Sequence, residues 1–208
     1  WANEKNGRYI IEDDYDSEFR PNGKPLPTLF SMDACEKVIY MNTFSKSLTP
    51  TIRISYMILP VHLANQFYRQ LSFYSCTVSN FEQYTLAAFM NQGYFEKHIN
   101  RMRLFYSRQR KKLIEAIEHS SLKKKCRIIE NDSGLHFLLH LQTELSDQCL
   151  SEQLKQQGIK MRPLSEYFLT AENSREHYFI INYSCVDLEK IPAACEKISQ
   201  LLSEKNTK

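Results

Sequence analysis

Thr43-Phe44-Ser45-Lys46-Ser47-Leu48-Thr49-Pro50-Thr51-Ile52-Arg53 sets one lysine among hydroxyl side chains, with an arginine seven residues on and a strand pattern on either side. A lysine is a poor nucleophile while protonated. Beside other cations, or out of water, it loses its charge more readily and can form a Schiff base. Hydroxyls and a planar guanidinium suit a phosphate ester, because the arginine offers paired donors and a permanent charge. Both capacities in one short loop point to pyridoxal phosphate. A Ser-Lys-Ser turn alone more often holds a solvated lysine, so the reading depends on the residues around it.

Upstream, Arg8-Tyr9-Ile10-Ile11-Glu12-Asp13-Asp14 is a short apolar run ending in acids, the pattern of a buried parallel strand whose C-terminal end delivers polar groups to a site. Val38-Ile39-Tyr40-Met41 is a second strand, leading into the lysine loop, and Ile54–Leu59, stopped by Pro60, is a third. Residues 20–35 read as a Pro- and Gly-containing loop. Apolar strands joined by polar loops indicate an α/β sheet with ligands at the strand ends. A pyridoxal ring works as an electron sink when a carboxylate keeps its nitrogen protonated. Asp13 and Tyr15 at one strand end, with Lys46 and Arg53 after a later one, supply a carboxylate, a phenol, an amine and a phosphate fork.

Helices come next. Residues 61–75 and 79–91 carry helical apolar spacing, the second capped by Ser79 or Asn80 and stopped by Gly93. Tyr94 to about His119 is a long amphipathic helix whose basic face reads as solvated surface. Beyond Lys125 strands and helices alternate: strands at 127–129, 134–141, 159–161 and 177–183, and helices at 146–157 and 188–202. This places a boundary near residues 100–120, with a small α+β domain after it.

Bulk properties exclude several classes. At 208 residues, with a hydrophobic fraction of 42% and a charged fraction of 25%, the chain is globular in composition. A net charge of +3, concentrated in Arg108–Lys112 and Lys123–Arg127, is too small to indicate nucleic-acid binding. Six scattered cysteines without a C-x-x-C pair suggest free thiols in a reducing compartment, and no apolar run reaches membrane-spanning length. A cytoplasmic location and no membrane partner are expected. His136 and His140 stand four apart, which does not bring them together on a strand, so no metal site is expected. Aromatic clusters such as Phe67/Tyr68/Phe73/Tyr74 read as core or dimer interface. The chain opens without methionine on Trp1–Gly7, which reads as a helix tail with a glycine stop, as expected of a fragment of a longer protein.

Ile11-Glu12-Asp13-Asp14-Tyr15-Asp16-Ser17-Glu18-Phe19-Arg20, followed by Tyr40–Arg53, closely resembles the aminotransferase-like domain of MocR/GabR-type bacterial regulators, which join a GntR-type winged helix-turn-helix to a fold-type I domain. The similarity continues through Asn80–Tyr84, Gly93–Arg103 and Ser133–Phe137. The resemblance implies an α/β chain forming the C-terminal part of a pyridoxal-phosphate-dependent transferase (aminotransferase class I/II) fold. Residues 1–100 would end the large cofactor-binding domain, and residues 101–208 would form the small domain. It implies that Lys46 forms the Schiff base, Asp13 meets the pyridine nitrogen, Tyr15 the ring oxygen, and Thr43, Ser45 and Arg53 the phosphate. Asp14 and Asp16 compete with Asp13, which is favoured because it stands two residues before the tyrosine.

The sequence also departs from that pattern. Asn42 and Ser55 stand where many members have glycine, which crowds the backbone without removing a functional group. The arginine that binds a substrate carboxylate in ordinary fold-type I aminotransferases is replaced by Ile180, leaving Arg162 and Arg175 as nearby substitutes. The expected function is a pyridoxal-phosphate domain that senses an amino compound, with DNA bound only through an N-terminal domain outside this chain, and with a homodimer as the assembly. The alternatives are a free-standing aminotransferase acting on amino acids, and a non-catalytic interaction relic that the intact Asp13/Tyr15/Lys46/Arg53 set argues against.

Overall fold

Ile10–Asp13 (β1) and Val38–Thr43 (β2) run parallel with Asp13 opposite Met41, and Ser55–Ile58 (β3) returns antiparallel with Ser55 opposite Thr43. The C-terminal ends of β1 and β2 and the start of β3 therefore share one edge of a three-stranded sheet ordered β1-β2-β3. This computed structural model describes residues 1–19, 27–129, 134–169 and 175–203. Residues 20–26 of the expected Pro/Gly loop lie outside the described residues. The rest of that segment is not all loop, since Leu29–Met32 (α1) makes a helical turn capped by Thr28.

The chain divides into two compact units, Trp1–Arg103 and Leu104–Lys208. In the first, the lysine loop is itself partly helical: Phe44–Ser47 (α2) forms a single turn directly after β2. Val61–Leu71 (α3) starts after Pro60, and Asn80–Asn91 (α4) starts at Ser79, whose hydroxyl accepts from the Glu82 amide at 3.2 Å. Gly93, at φ +72°, permits the reversal into Tyr94–Glu118 (α5). Phe67, Tyr68, Phe73 and Tyr74 are all exposed, so of the two expectations for this aromatic cluster, core and dimer interface, the core is ruled out within this chain.

The second unit carries a four-stranded antiparallel sheet of Cys126–Ile129 (β4), His136–Leu141 (β5), Arg162–Pro163 (β6) and Tyr178–Asn182 (β7), ordered β4-β5-β7-β6. The strand expected at 159–161 lies instead at 162–163, where backbone pairing with β7 fixes it. Strict alternation puts Phe137, Leu139 and Leu141 on the buried face of β5, each at most 2% exposed, facing a core shared with Phe179 of β7. Asp147–Gln156 (α6) buries Leu150 and Leu154 one turn apart, and Ile191–Ser203 (α7) buries Ile198, Leu201 and Leu202. Asp147 ties this unit together, accepting from the His177 amide at 2.8 Å and from the Ser165 hydroxyl. All six cysteines are free, and burial pushes the Cys126 thiol up to about 11 with help from Cys195. Among the described residues no helix is long and apolar enough to cross a membrane.

Candidate cofactor site

Strand alternation sorts the acids after β1 before any ligand is considered. Ile11 and Asp13 point to one face and are exposed, whereas Ile10 and Glu12 point to the other and are half-buried. Glu12 is engaged there: its carboxylate accepts from the amides of Leu29 at 2.8 Å and Phe30 at 2.9 Å, at the N-terminal end of α1. Asp14 is also engaged, accepting from the hydroxyls of Ser17 at 2.8 Å and Tyr40 at 2.9 Å. Asp13 makes no hydrogen bond or ion pair to another described residue. Of the two neighbouring acids, Asp13 is the one open to a ligand and Asp14 is the one held by the fold. Tyr15, 43% exposed, comes next on the same strand end.

The lysine turn is built by its threonine. The Thr43 hydroxyl accepts from the Ser45 amide at 3.2 Å and donates to the Ile54 carbonyl at 3.2 Å, and Phe44 N–H donates to the same carbonyl at 2.9 Å. Those bonds bind the end of β2 to the start of β3 and leave Ser45 half-buried and Lys46 exposed. Arg53 adopts φ +51°, a left-handed conformation that costs a non-glycine residue about 1 kcal/mol or more. Its side chain is exposed, as are those of Lys46 and Asp13, and none of the three has a partner among the described residues. The first unit thus brings Asp13, Tyr15, Thr43, Ser45, Lys46 and Arg53 to one sheet edge. This donor set fits a phosphorylated aldehyde with a basic ring nitrogen: an accessible amine, hydroxyl and guanidinium donors, and an unpaired carboxylate.

A polar network beneath the turn was not visible in the sequence. Asn42, 4% exposed, accepts from the Thr43 amide at 2.5 Å and donates to the Tyr40 hydroxyl at 3.0 Å and to Glu18 Oε1 at 3.4 Å. Burial holds the Glu18 carboxyl above the ordinary value of 4.5, its own backbone hydrogen bond opposing and the charge of Asp14 adding to the shift. Burial likewise raises the Tyr40 and Tyr56 phenols, Asp14 adding to the first and Glu18 to the second. The non-local partner of Glu18 could not be found from its position in the motif.

In the second unit Arg162 of β6 stands directly opposite Ile180 of β7, so both side chains share a face. Arg162 is exposed and hydrogen-bonded to Tyr167, while Arg175 is exposed in the approach to β7. His136 and His140 lie on strand β5 as expected, His140 packing on Tyr178 with ring centroids 4.7 Å apart. Among the described residues no group of three metal-ligating side chains is formed.

Comparison with known proteins identifies the family and the fold. The family described as "Aminotransferase class I and II" matches residues 2–198. The uncharacterized HTH-type transcriptional regulator YdeL of Bacillus subtilis is 46% identical over 165 residues, covering 79% of this chain and 35% of that protein. The probable rhizopine catabolism regulatory protein MocR of Rhizobium meliloti is 35% identical over 184 residues, covering 88% of this chain and 37% of that protein. The crystal structure of Pyrococcus horikoshii kynurenine aminotransferase in complex with PMP superposes at a TM-score of 0.79 with 25% identity, covering 96% of this chain and 48% of that one. The chain spans less than half the length of each of these proteins. The resemblance to MocR-type regulators and the α/β aminotransferase fold read from the two motifs both hold. The chain belongs to the aminotransferase class I and II family.

Proposed function

We propose that this chain is the pyridoxal-phosphate-binding, effector-sensing part of a transcriptional regulator, working as a homodimer, with DNA bound by a domain outside it. The observation that carries the cofactor assignment is the convergence of Asp13, Lys46 and Arg53, all without partners among the described residues, on one end of the β1-β2-β3 sheet. Lys46 would hold the cofactor as a Schiff base, Asp13 its pyridine nitrogen, and Tyr15 its ring oxygen. Ser45 and Arg53 would hold the phosphate. Thr43, already bonded to Ile54 and Ser45, would contribute by shaping the turn as well as by contact. When bound, pyridoxal phosphate supplies an aldehyde that condenses with amines and a ring that accepts electron density. An amino compound that competes with Lys46 for that aldehyde would free the lysine, and the change would be read out in DNA affinity.

The regulatory half of the reading is supported by the HTH-type relatives and by β7, which carries no guanidinium and has Ile180 where the resemblance implies the substrate-carboxylate arginine of ordinary aminotransferases. The second reading, an aminotransferase acting on amino acids, is favoured by Arg162 opposite Ile180, which offers a guanidinium on the same face. The test is an amino-compound screen on full-length protein, measuring both DNA affinity and keto-acid formation. The sensor reading expects an amine-dependent shift in DNA affinity of about tenfold, the usual scale of allosteric coupling, without sustained turnover. Turnover that Arg162→Ala abolishes, with DNA affinity indifferent to amines, would establish the enzyme instead.

A further inference from the structure

Asn42 occupies a position that the sequence marks only as a departure from glycine, yet it is among the few buried polar residues of the described chain. Its amide reaches three groups, two on β2 itself and one on the segment after β1. The oxygen accepts from the N–H of Thr43, the cap of the turn that carries Lys46, while the nitrogen serves the Tyr40 hydroxyl on β2 and the Glu18 carboxylate after β1. Tyr40 in turn donates to Asp14, which also receives Ser17. A continuous hydrogen-bonded path therefore runs from the acids behind Asp13 and Tyr15 to the backbone of the lysine turn. Glycine at position 42 would supply none of the three bonds that join this path to Thr43 and Glu18.

We propose that Asn42 is a positioning residue: it couples Glu18 to the lysine turn by fixing the Thr43 backbone, and so aims the Thr43 hydroxyl that caps Phe44–Ser47. Its effect on the cofactor rests on the reading of Lys46 given above, while its effect on the turn does not. Glu18 is anchored for this task. Arg103 Nε donates to its backbone carbonyl at 2.5 Å and the same side chain also bonds Asn100, so the α5 side holds the Glu18 backbone while the carboxylate reaches Asn42. Among the described residues the second carboxylate oxygen, Oε2, is buried with no hydrogen-bond partner, so Asn42 is the side chain from another segment through which Glu18 acts. The groups facing that carboxyl are Asp14, Asp16, Asn42 and Tyr56, with Glu96 and Arg103 lining the adjoining cavity of about 330 Å³. Burial favours the neutral acid there, whose remaining carbonyl still accepts from Asn42.

Amide hydrogen exchange on full-length protein, with and without pyridoxal phosphate, tests this together with the visible band of the bound cofactor. Asn42→Ala is expected to speed exchange across Thr43–Ser47 by about tenfold, the loss of one net hydrogen bond, and to displace the band while leaving Lys46 able to form it. Glu18→Ala is expected to speed exchange in the same segment, and Glu18→Gln, which keeps an acceptor for Asn42, to restore most of the protection. Exchange and band unchanged in Asn42→Ala would overturn the proposal. If that variant does not fold, unchanged exchange in Glu18→Ala overturns it. Absence of any band in the unsubstituted protein would defeat the cofactor reading, and the exchange arm would still decide for or against the positioning role.

Discussion

Glu18 gives the site a pH dependence of known sign. Its carboxyl titrates above 4.5 in the fold because burial disfavours the anion. A carboxyl raised in the folded state contributes stability that is complete below its unfolded pKa and is lost as pH rises through the folded one. Replacing it with a side chain that cannot ionise removes that loss. Glu18→Gln is therefore expected to gain denaturant resistance relative to the parent between about pH 4 and about pH 7, with the difference smallest at the acid end. A constant difference across that range would show that the carboxyl titrates normally. Asp13 and Asp14 carry the complementary lesson. Adjacent and chemically identical, they part company because one faces the open side of β1 and the other meets Ser17 and Tyr40.

At the scale of elements, the second unit depends on α6 and its two buried leucines. Ser146 caps the helix by accepting from the Cys149 amide at 3.4 Å, and Leu150 and Leu154 are both fully buried. Leu154→Ala should cost about 2–5 kcal/mol of stability, while Leu154→Met should cost less than about 1.5 kcal/mol, both read from denaturant midpoints. A loss under about 1 kcal/mol for the alanine variant would mean that the site relaxes around the cavity. These helices were legible because their signals are local: Ser79 as a cap, Gly93 as a stop, apolar residues at helical spacing. Strands β1, β2, β3, β5 and β7 were legible in the same way, to within a residue or two. What failed was what distant partners decide. Strand β6 is set by pairing with β7 and not by the apolar run Ile159–Met161. The helical turn around Lys46 is tied to Ile54, and Asn42 meets a partner, Glu18, that lies 24 residues away.

For the whole molecule, family and fold rest on a match over residues 2–198 and on structural likeness to an aminotransferase, while the reading as a sensor rests on the regulators it resembles. All of these depend, for their chemistry, on one amine. The candidate site residues could be named from the sequence because two short motifs carry them. That they meet at one sheet edge comes only from the parallel register of β1 on β2 and the antiparallel return of β3. The most direct measurement is to add pyridoxal phosphate to full-length protein, reduce with borohydride, and locate the modified residue by peptide mass spectrometry. Hydride addition turns a carbon–nitrogen double bond to lysine into a stable single bond, so a phosphopyridoxyl group is predicted on Lys46, with its loss, together with that of the visible band, in Lys46→Ala. Modification of other lysines with Lys46 untouched, or a band unchanged in Lys46→Ala, would contradict the assignment.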